Sequence, residues 1–288
     1  MTPYVPNHAT TEFVNTTQGR IRLVVRRVSG TDPWVVLAPG QGDSVESLFG
    51  LFESGTAPPL NLAVFDPLGH GQSDDPRIDY SPASQAVVWR GVLDHLRAAR
   101  AYIGGYSYGA YSAGMCSAVL ADRIHGLILI EGGYLTLSHK GETAESETAA
   151  IIEGMRTFHF ETWAAARAAI QSQTSTPWSA VDDAEFHAAF VEAEGMVVPR
   201  VTEETIRLME QTLAAYSPSE LDRVTCPILL LHATLPPERA SMRAQGLADF
   251  QRHAPQACLI PIPEAGHTIK EHLPFVLQHI AAFVRDRR

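Results

Sequence analysis

Residues 104–114 read GGYSYGAYSAG, with Ser107 standing between Gly105 and Gly109 at G-x-S-x-G spacing. A nucleophilic serine at that spacing occupies a turn so sharp between strand and helix that its backbone is strained. Small neighbours are needed where strand and helix converge. The reading therefore requires a strand before the motif and a helix after it. AYIGGY at 101–106 supplies the first. GAYSAGMCSAVLA at 109–121 supplies the second, with Gly109, Ala110, Ser112, Ala113 and Gly114 keeping its packing face small. A chance match in a chain with 21 glycines would leave Ser107 an ordinary polar loop residue, but these flanks favour a nucleophile.

Outward from the motif, short apolar runs recur. IRLVVRRV (21–28) reads as a strand, with 13–16 as a weaker partner before it. WVVLA (34–38), LAVF (62–65), AYIGG (101–105), IHGLILI (124–130), PILLLH (227–232) and CLIPI (258–262) follow. Near-continuous apolarity marks strands buried on both faces, as parallel sheets require. Helical spacing fills the intervals: Val87, Val88, Gly91, Leu93 and Leu96, then 110–121, 242–250, and Phe275, Leu277, Ile280 and Phe283. Strand alternating with helix predicts right-handed crossovers and a mostly parallel, doubly wound α/β sheet.

The rhythm breaks from 134 to 217, where no run reads as a strand. Ile151, Ile152, Met155 and Phe158 share one helical face; so do Phe186 and Phe190, and so do Ile206, Met209, Leu213 and Tyr216. Thr202 is the expected N-cap of the last helix, and Ser217-Pro218 its stop. The chain thus divides into a core, 1–133 and 218–288, and an inserted helical cap or lid, 134–217. No internal repeat or low-complexity segment occurs.

A chain of 288 residues accommodates such a domain with its insertion. The net charge of −10 argues against nucleic acid or an anionic membrane surface as partner, and the basic end RDRR (285–288) is too short to reverse this. The amino-terminal MTPYVPNHATTEF has neither the basic start nor the apolar core of a secretory signal. No apolar run reaches the roughly 20 residues that span a bilayer. Cys116, Cys226 and Cys258 are odd in number and far apart, and read as small buried residues, not as a disulfide or zinc ligands. A reducing cytoplasm is the simplest compartment, and the oligomeric state is not readable.

GYSYG (105–109), with FDPLGHGQSD (65–74) upstream and EAGHTI (264–269) downstream, resembles the α/β-hydrolase superfamily over essentially the whole chain outside the insertion. The strand-end pattern D-x-x-G-H-G-x-S is complete in Asp66, Gly69, His70, Gly71 and Ser73. The resemblance implies the α/β-hydrolase fold and a capped serine hydrolase. It places the base at His267, on the loop between the last strand and the last helix. His232, at a strand end, is the rival; His272 is expected to face solvent, and His70 to be structural.

The acid departs from the common pattern. After PILLLH the chain reads ATLPPERA, with no aspartate before Asp249 and Glu238 six residues past His232. LILIEGG instead puts Glu131 at the end of the preceding strand, where some members of the superfamily carry their acid. A carboxylate must accept the Nδ1 proton of the histidine and stabilise the imidazolium. Glu131 is the preferred candidate, with Glu238 and Glu264 the alternatives, and the order Ser107, Glu131, His267 suits the fold.

After WVVLA comes PGQGDS (39–44), where Pro39 replaces a histidine common in the family. By position, the backbone N–H groups of Gln41 and Tyr108 form the oxyanion hole. Tyr106, Tyr108 and Tyr111 are candidates for phenol groups at the entrance, Tyr108 foremost. Among the cap aromatics Phe158, Phe160, Trp163, Trp178, Phe186, Phe190 and Tyr216, with Met196, the chosen substrate-binding residues are Phe158, Trp163 and Trp178.

No metal or organic cofactor is implied, and neither G-x-G-x-x-G nor G-x-x-x-x-G-K-[ST] occurs, which removes a nucleotide role. The expected substrate is a small to medium, largely apolar, neutral ester, lactone or thioester, cleaved through an acyl-enzyme. Serine in the turn argues against epoxide hydrolysis and dehalogenation, which the resemblance would assign to an aspartate there. The alternatives are an acyltransferase or cyclising thioesterase, a lyase or cofactor-free peroxidase, and a ligand receptor on the same fold.

Overall fold

The apolar runs assemble into one eight-stranded sheet. In the computed structural model, which describes residues 4–28, 33–53, 60–76, 78–174 and 176–286, the strands are β1 (Thr10–Thr16), β2 (Gly19–Arg26), β3 (Trp34–Ala38), β4 (Asn61–Phe65), β5 (Ala101–Tyr106), β6 (Ile124–Ile130), β9 (Ile228–Ala233) and β10 (Cys258–Ile262). The first residues of the amino-terminal stretch and the last two of RDRR lie outside the described residues. The strand order is β1-β2-β4-β3-β5-β6-β9-β10. β1 pairs antiparallel with β2, and β2 with β4; every later pairing is parallel.

Continuous apolarity reflects burial on both faces, because β4 and β5 are buried at every position. Alternate side chains divide between two cores, as the pleat demands. Val36, Ile103, Leu127 and Leu129 join Trp89, Val92 and Leu93 of the helix Pro82–His95, together with Ala110, Ala113 and Cys116 of the helix Tyr108–Cys116. Val35, Leu37, Tyr102, Ile128 and Ile130 join Val276, Leu277, Ile280 and Val284 of the helix Leu273–Arg285.

The order β4-β3-β5 places the chain's change of direction at β3, with β4 on one side and β5 on the other. Ligand sites in open α/β sheets form at such a switch point, outside the carboxyl ends of the strands. Both the 39–44 turn and Ser107 lie there.

Two expectations need correction. The 134–217 segment is not wholly helical: β7 (Phe190–Ala193) and β8 (Met196–Pro199) form an antiparallel hairpin. Its two loop residues, Glu194 and Gly195, have φ of 52° and 78°. That is the left-handed pair a two-residue hairpin turn requires. Around the hairpin lie the helices Ala144–Arg156, Trp163–Gln171, Ala180–Ala189 and Glu203–Ala214. Thr202 does cap the last, its side chain accepting from Thr205 N–H. Cys258 is exposed and Cys226 half-buried, so only Cys116 is the buried residue expected. Cys258 opens the edge strand β10, and there less covers it.

The glycines of the motif are set by a backbone approach. A Cβ on Gly105 would lie 2.2 Å from the Ala38 carbonyl oxygen, and one on Gly109 2.1 Å from the same atom. Gly154, inside the helix Ala144–Arg156, would meet nothing within 4 Å. Gly109→Ala is therefore expected to lower unfolding free energy by about 2–4 kcal/mol through forced displacement of β3. Gly154→Ala should raise it by about 0.5–1 kcal/mol. Urea midpoints of both variants check the contrast, and equal effects would contradict it.

Candidate active site

Ser107 follows β5 and precedes the helix Tyr108–Cys116 with φ 51° and ψ −118°, a conformation that costs an L-residue energy. Three contacts hold it. Its N–H donates to the Ile130 carbonyl at 2.9 Å, Gly109 N–H donates to the Pro39 carbonyl at 3.1 Å, and Ala110 N–H donates to the Ser107 carbonyl at 3.0 Å. The strain lifts the side chain out of the sheet into the crevice at the strand ends.

His267 sits between β10 and the helix Leu273–Arg285, its Nε2 3.1 Å from Ser107 Oγ. Its Nδ1 faces Glu131 Oε1 at 3.6 Å. Glu131, just past β6, also has a left-handed backbone, with φ 46°. It is buried, and its carboxylate accepts from Ala233 N–H at 2.6 Å and from the Tyr134 hydroxyl at 3.2 Å. Burial, with the charge of Glu131 beside it, pushes the Tyr134 phenol up and keeps it a donor. Neither rival carboxylate, exposed Glu238 or exposed Glu264, pairs with His267 among the described residues. The rival histidine His232 is tied locally, its Nδ1 3.1 Å from the Ala233 carbonyl oxygen.

Two groups stand beside His267: Tyr106, expected as a phenol at the entrance, and Asp43, for which the sequence offers no such expectation. The Tyr106 ring packs against its imidazole at 5.5 Å between centroids, and the Tyr106 hydroxyl donates to the His267 carbonyl at 2.7 Å. Asp43 lies in the 39–44 turn; burial pushes its carboxyl up to about 7, while the nearby His267 pulls the other way. Tyr106 had a signal, being the residue before the serine at the end of β5. Asp43 had none beyond its place in a glycine-rich turn.

The D-x-x-G-H-G-x-S pattern acts beneath that turn. Asp66 accepts from Val45 N–H at 2.7 Å and Gln72 N–H at 2.8 Å, and faces the buried Arg22, which also pairs with Glu46 at 2.7 Å. His70 Nε2 accepts from Gly42 N–H at 3.0 Å, while its Nδ1 donates to the Leu68 carbonyl at 2.9 Å. His70 is thus required as the neutral Nδ1–H tautomer.

A cavity of about 470 Å³ opens over Ser107, and Gln41, Tyr108, Glu131 and His267 all line it. Tyr108 is the first residue of its helix, where backbone N–H groups lack intrahelical acceptors. Its phenol points the other way, into the core, and donates to Gln85 Oε1 at 3.1 Å. It is therefore not an entrance group. Tyr111 does line the cavity, its hydroxyl donating to the Leu135 carbonyl at 2.8 Å.

Phe158, Trp163 and Trp178 do not reach the cavity. They pack with Phe160, Phe186, Phe190 and Val197 into a small core internal to the inserted segment. The segment reaches the cavity instead with Leu137, Lys140, Glu142, Glu147, Ile151, Glu210 and Leu213. The wall is mixed and strongly charged, unlike the largely apolar pocket expected. The segment is also tied to the His267 loop, because Lys270 Nζ lies 2.6 Å from Asp182 Oδ1 and 2.5 Å from Glu185 Oε2.

Comparison with known proteins agrees with this architecture. Residues 35–286 match the model of the Alpha/beta hydrolase family, and the chain belongs to that family. Uncharacterized protein Mb2734 of Mycobacterium bovis is 34% identical over 110 residues, which cover 38% of this chain. The match spans only 32% of the length of that relative. Among solved structures, E-2-(acetamidomethylene)succinate hydrolase superposes with a TM-score of 0.76 at 19% identity, covering 96% of this chain and 100% of its own. The enol-lactonase from Burkholderia xenovorans LB400 gives 0.64 at 16% identity, covering 95% and 100%. Both likenesses concern the fold. No helix among the described residues is long and apolar enough to cross a membrane.

Burial pushes His70 down to about 4, against about 6.5 for a free imidazole. Its folded value lies below its unfolded one, so the unfolded chain binds the extra proton first. The stability that neutral His70 contributes is present above about pH 6.5 and lost as pH falls toward 4. The neighbouring buried carboxyl of Asp66, pushed up to about 6, acts in the opposite sense. Comparison with His70→Gln removes that contribution. The stability advantage of the native chain over the variant should shrink by up to about 3 kcal/mol between pH 7 and pH 4. Urea unfolding at both pH values measures it; a pH-independent difference would refute the assignment.

Proposed function

We propose that the chain is a serine hydrolase acting on a carboxylic ester, lactone or thioester through an acyl-enzyme. The observation that carries this reading is the run of contacts Ser107 Oγ to His267 Nε2 at 3.1 Å and His267 Nδ1 to Glu131 Oε1 at 3.6 Å. Ser107 Oγ attacks the carbonyl carbon while its proton passes to Nε2. The tetrahedral oxyanion is met by the backbone N–H groups of Gln41 and Tyr108. Each such donor is worth about 3 kcal/mol to a transition state. The leaving oxygen or sulfur takes the proton back from Nε2, and a water deprotonated by the same nitrogen releases the acid.

Glu131 orients the imidazole and stabilises its cation. Its other contacts, from Ala233 N–H and the Tyr134 hydroxyl, leave it little freedom to turn away. The longer 3.6 Å contact is of the kind that tightens once substrate excludes water. Residues 134–217 serve as the cap, supplying one wall of the cavity. The charged character of that wall favours a substrate with polar substituents over the apolar one expected from the aromatic content of the segment.

A fluorophosphonate probe is expected to label Ser107 and not the Ser107→Ala chain. Glu131→Gln should lower kcat by about 10²–10⁴-fold with an unchanged melting curve, whereas Glu238→Gln should change kcat by less than about threefold. Assay on a panel of short-chain esters and lactones reads both. The reverse ranking of the two glutamates would overturn the acid assignment, and an unlabelled native chain would overturn the hydrolase reading.

A further inference from the structure

The cavity over Ser107 is lined by several charged side chains, and most are already engaged. Lys140 pairs with Glu147 at 2.5 Å, and Glu142 accepts from Ser146 Oγ at 2.5 Å. Arg243 is committed to three main-chain carbonyls, those of Thr234, Leu235 and Pro236, at 2.6–3.0 Å. Arg239 stands exposed at the rim. Glu210 differs from all of these. It projects from the helix Glu203–Ala214, is only 3% exposed, and lines the same cavity as Ser107.

Among the described residues, the one hydrogen-bonding influence on the Glu210 carboxylate is the side chain of Gln41, which favours its charged form. Burial acts against that form, as does the charge of Glu147, while Lys140 draws the other way. The Gln41 amide does not complete the contact: its Nε2 is buried with no partner in hydrogen-bond geometry. A buried acceptor and a buried, unpartnered donor thus lie close together in the wall of one cavity. Each is costly to leave unpaired.

We infer that Glu210 and the Gln41 side chain form a specificity site for a substrate hydroxyl close to the reacting carbonyl. The hydroxyl donates to the Glu210 carboxylate and accepts from Gln41 Nε2. A hydroxyl does both from a single atom. An ammonium only donates and would leave Nε2 unpaired; a second carboxylate only accepts and would oppose Glu210. The hydroxyl lies near the carbonyl because the main chain of the same Gln41 is the proposed oxyanion donor. Sites built to bond a substrate hydroxyl discriminate strongly against analogues without one, since the pocket groups are then stranded.

The inference rests on the hydrolase reading of Ser107, and its test separates the two. Methyl butyrate and its 2-hydroxy and 3-hydroxy counterparts are compared on the native chain, Glu210→Gln and Glu210→Leu, with the methyl ester of 4-aminobutyrate as the cationic control. The native chain should prefer one hydroxy ester over butyrate by at least about tenfold in kcat/KM, and Glu210→Leu should erase most of that ratio. If the leucine variant fails to fold, the ratio in Glu210→Gln carries the test.

A native chain that takes the fluorophosphonate label but shows no hydroxyl preference would overturn the inference and leave the hydrolase reading standing. A ratio unchanged by either Glu210 substitution, or a preference for the amino ester, would also overturn it. If the chain neither labels nor hydrolyses, the hydrolase reading fails instead. The hydroxyl site is then decided by melting temperature: a rise with the hydroxy ester, absent with butyrate and absent in the Glu210 variant, supports it, and no rise overturns it.

Discussion

The close approach of the Ala38 carbonyl to the turn at Ser107 governs the rest of the molecule. Side-chain carbon on either flanking glycine would collide with that one oxygen. Only because both positions lack it can β5 run directly into a helix beside β3. The resulting turn costs Ser107 its normal backbone conformation. Hydrogen bonds to Ile130 and from Gly109 to Pro39 compensate locally, and the apolar clusters on both faces of the sheet compensate globally. Backbone strain of this kind persists where the surroundings over-determine it. Here they do so with backbone from three adjacent strands.

The second layer of support is polar and buried. Arg22, Glu46 and Asp66 form a group with almost no solvent contact, an arrangement whose desolvation cost consumes much of its Coulombic gain. Its return is geometric. Asp66 holds Val45, His70 holds Gly42, and together they pin both ends of the turn that carries Gln41 and Asp43. The motif once read as a family marker is thus the mould for the turn opposite Ser107. Its residues do not touch the crevice themselves.

Much of this was legible in the chain because it depends on local or periodic chemistry. Apolar runs reported the buried strands, the glycines reported the turn, and Glu131 followed by Gly132-Gly133 reported a polar group at a strand end. The β7–β8 hairpin was missed because aromatic spacing through 186 and 190 suits a helix. The Glu194-Gly195 pair between Val191 and Val197 was its available signal. The placement of Phe158, Trp163 and Trp178 was not legible for a different reason. Periodicity says that a face is apolar but not whether it meets a neighbouring helix or a cavity. Tyr108 illustrates the same limit, since it lines the cavity while its phenol bonds Gln85 in the core. Glu210 sits among apolar Ile206, Met209 and Leu213, where a carboxylate looks like a solvent-side residue until tertiary packing closes over it.

The position of Glu131 has a consequence for the loop after β9. With the carboxylate that meets His267 coming from just past β6, no side chain of the 234–239 loop pairs with the imidazole among the described residues. Arg243 fixes its main chain through the Thr234, Leu235 and Pro236 carbonyls, and Leu235, Pro236 and Arg239 line the cavity. Structural rigidity and chemical duty are thereby uncoupled within one short loop. Side chains at 235, 236 and 239 can therefore be exchanged to reshape the cavity without disturbing the contact between Glu131 and His267.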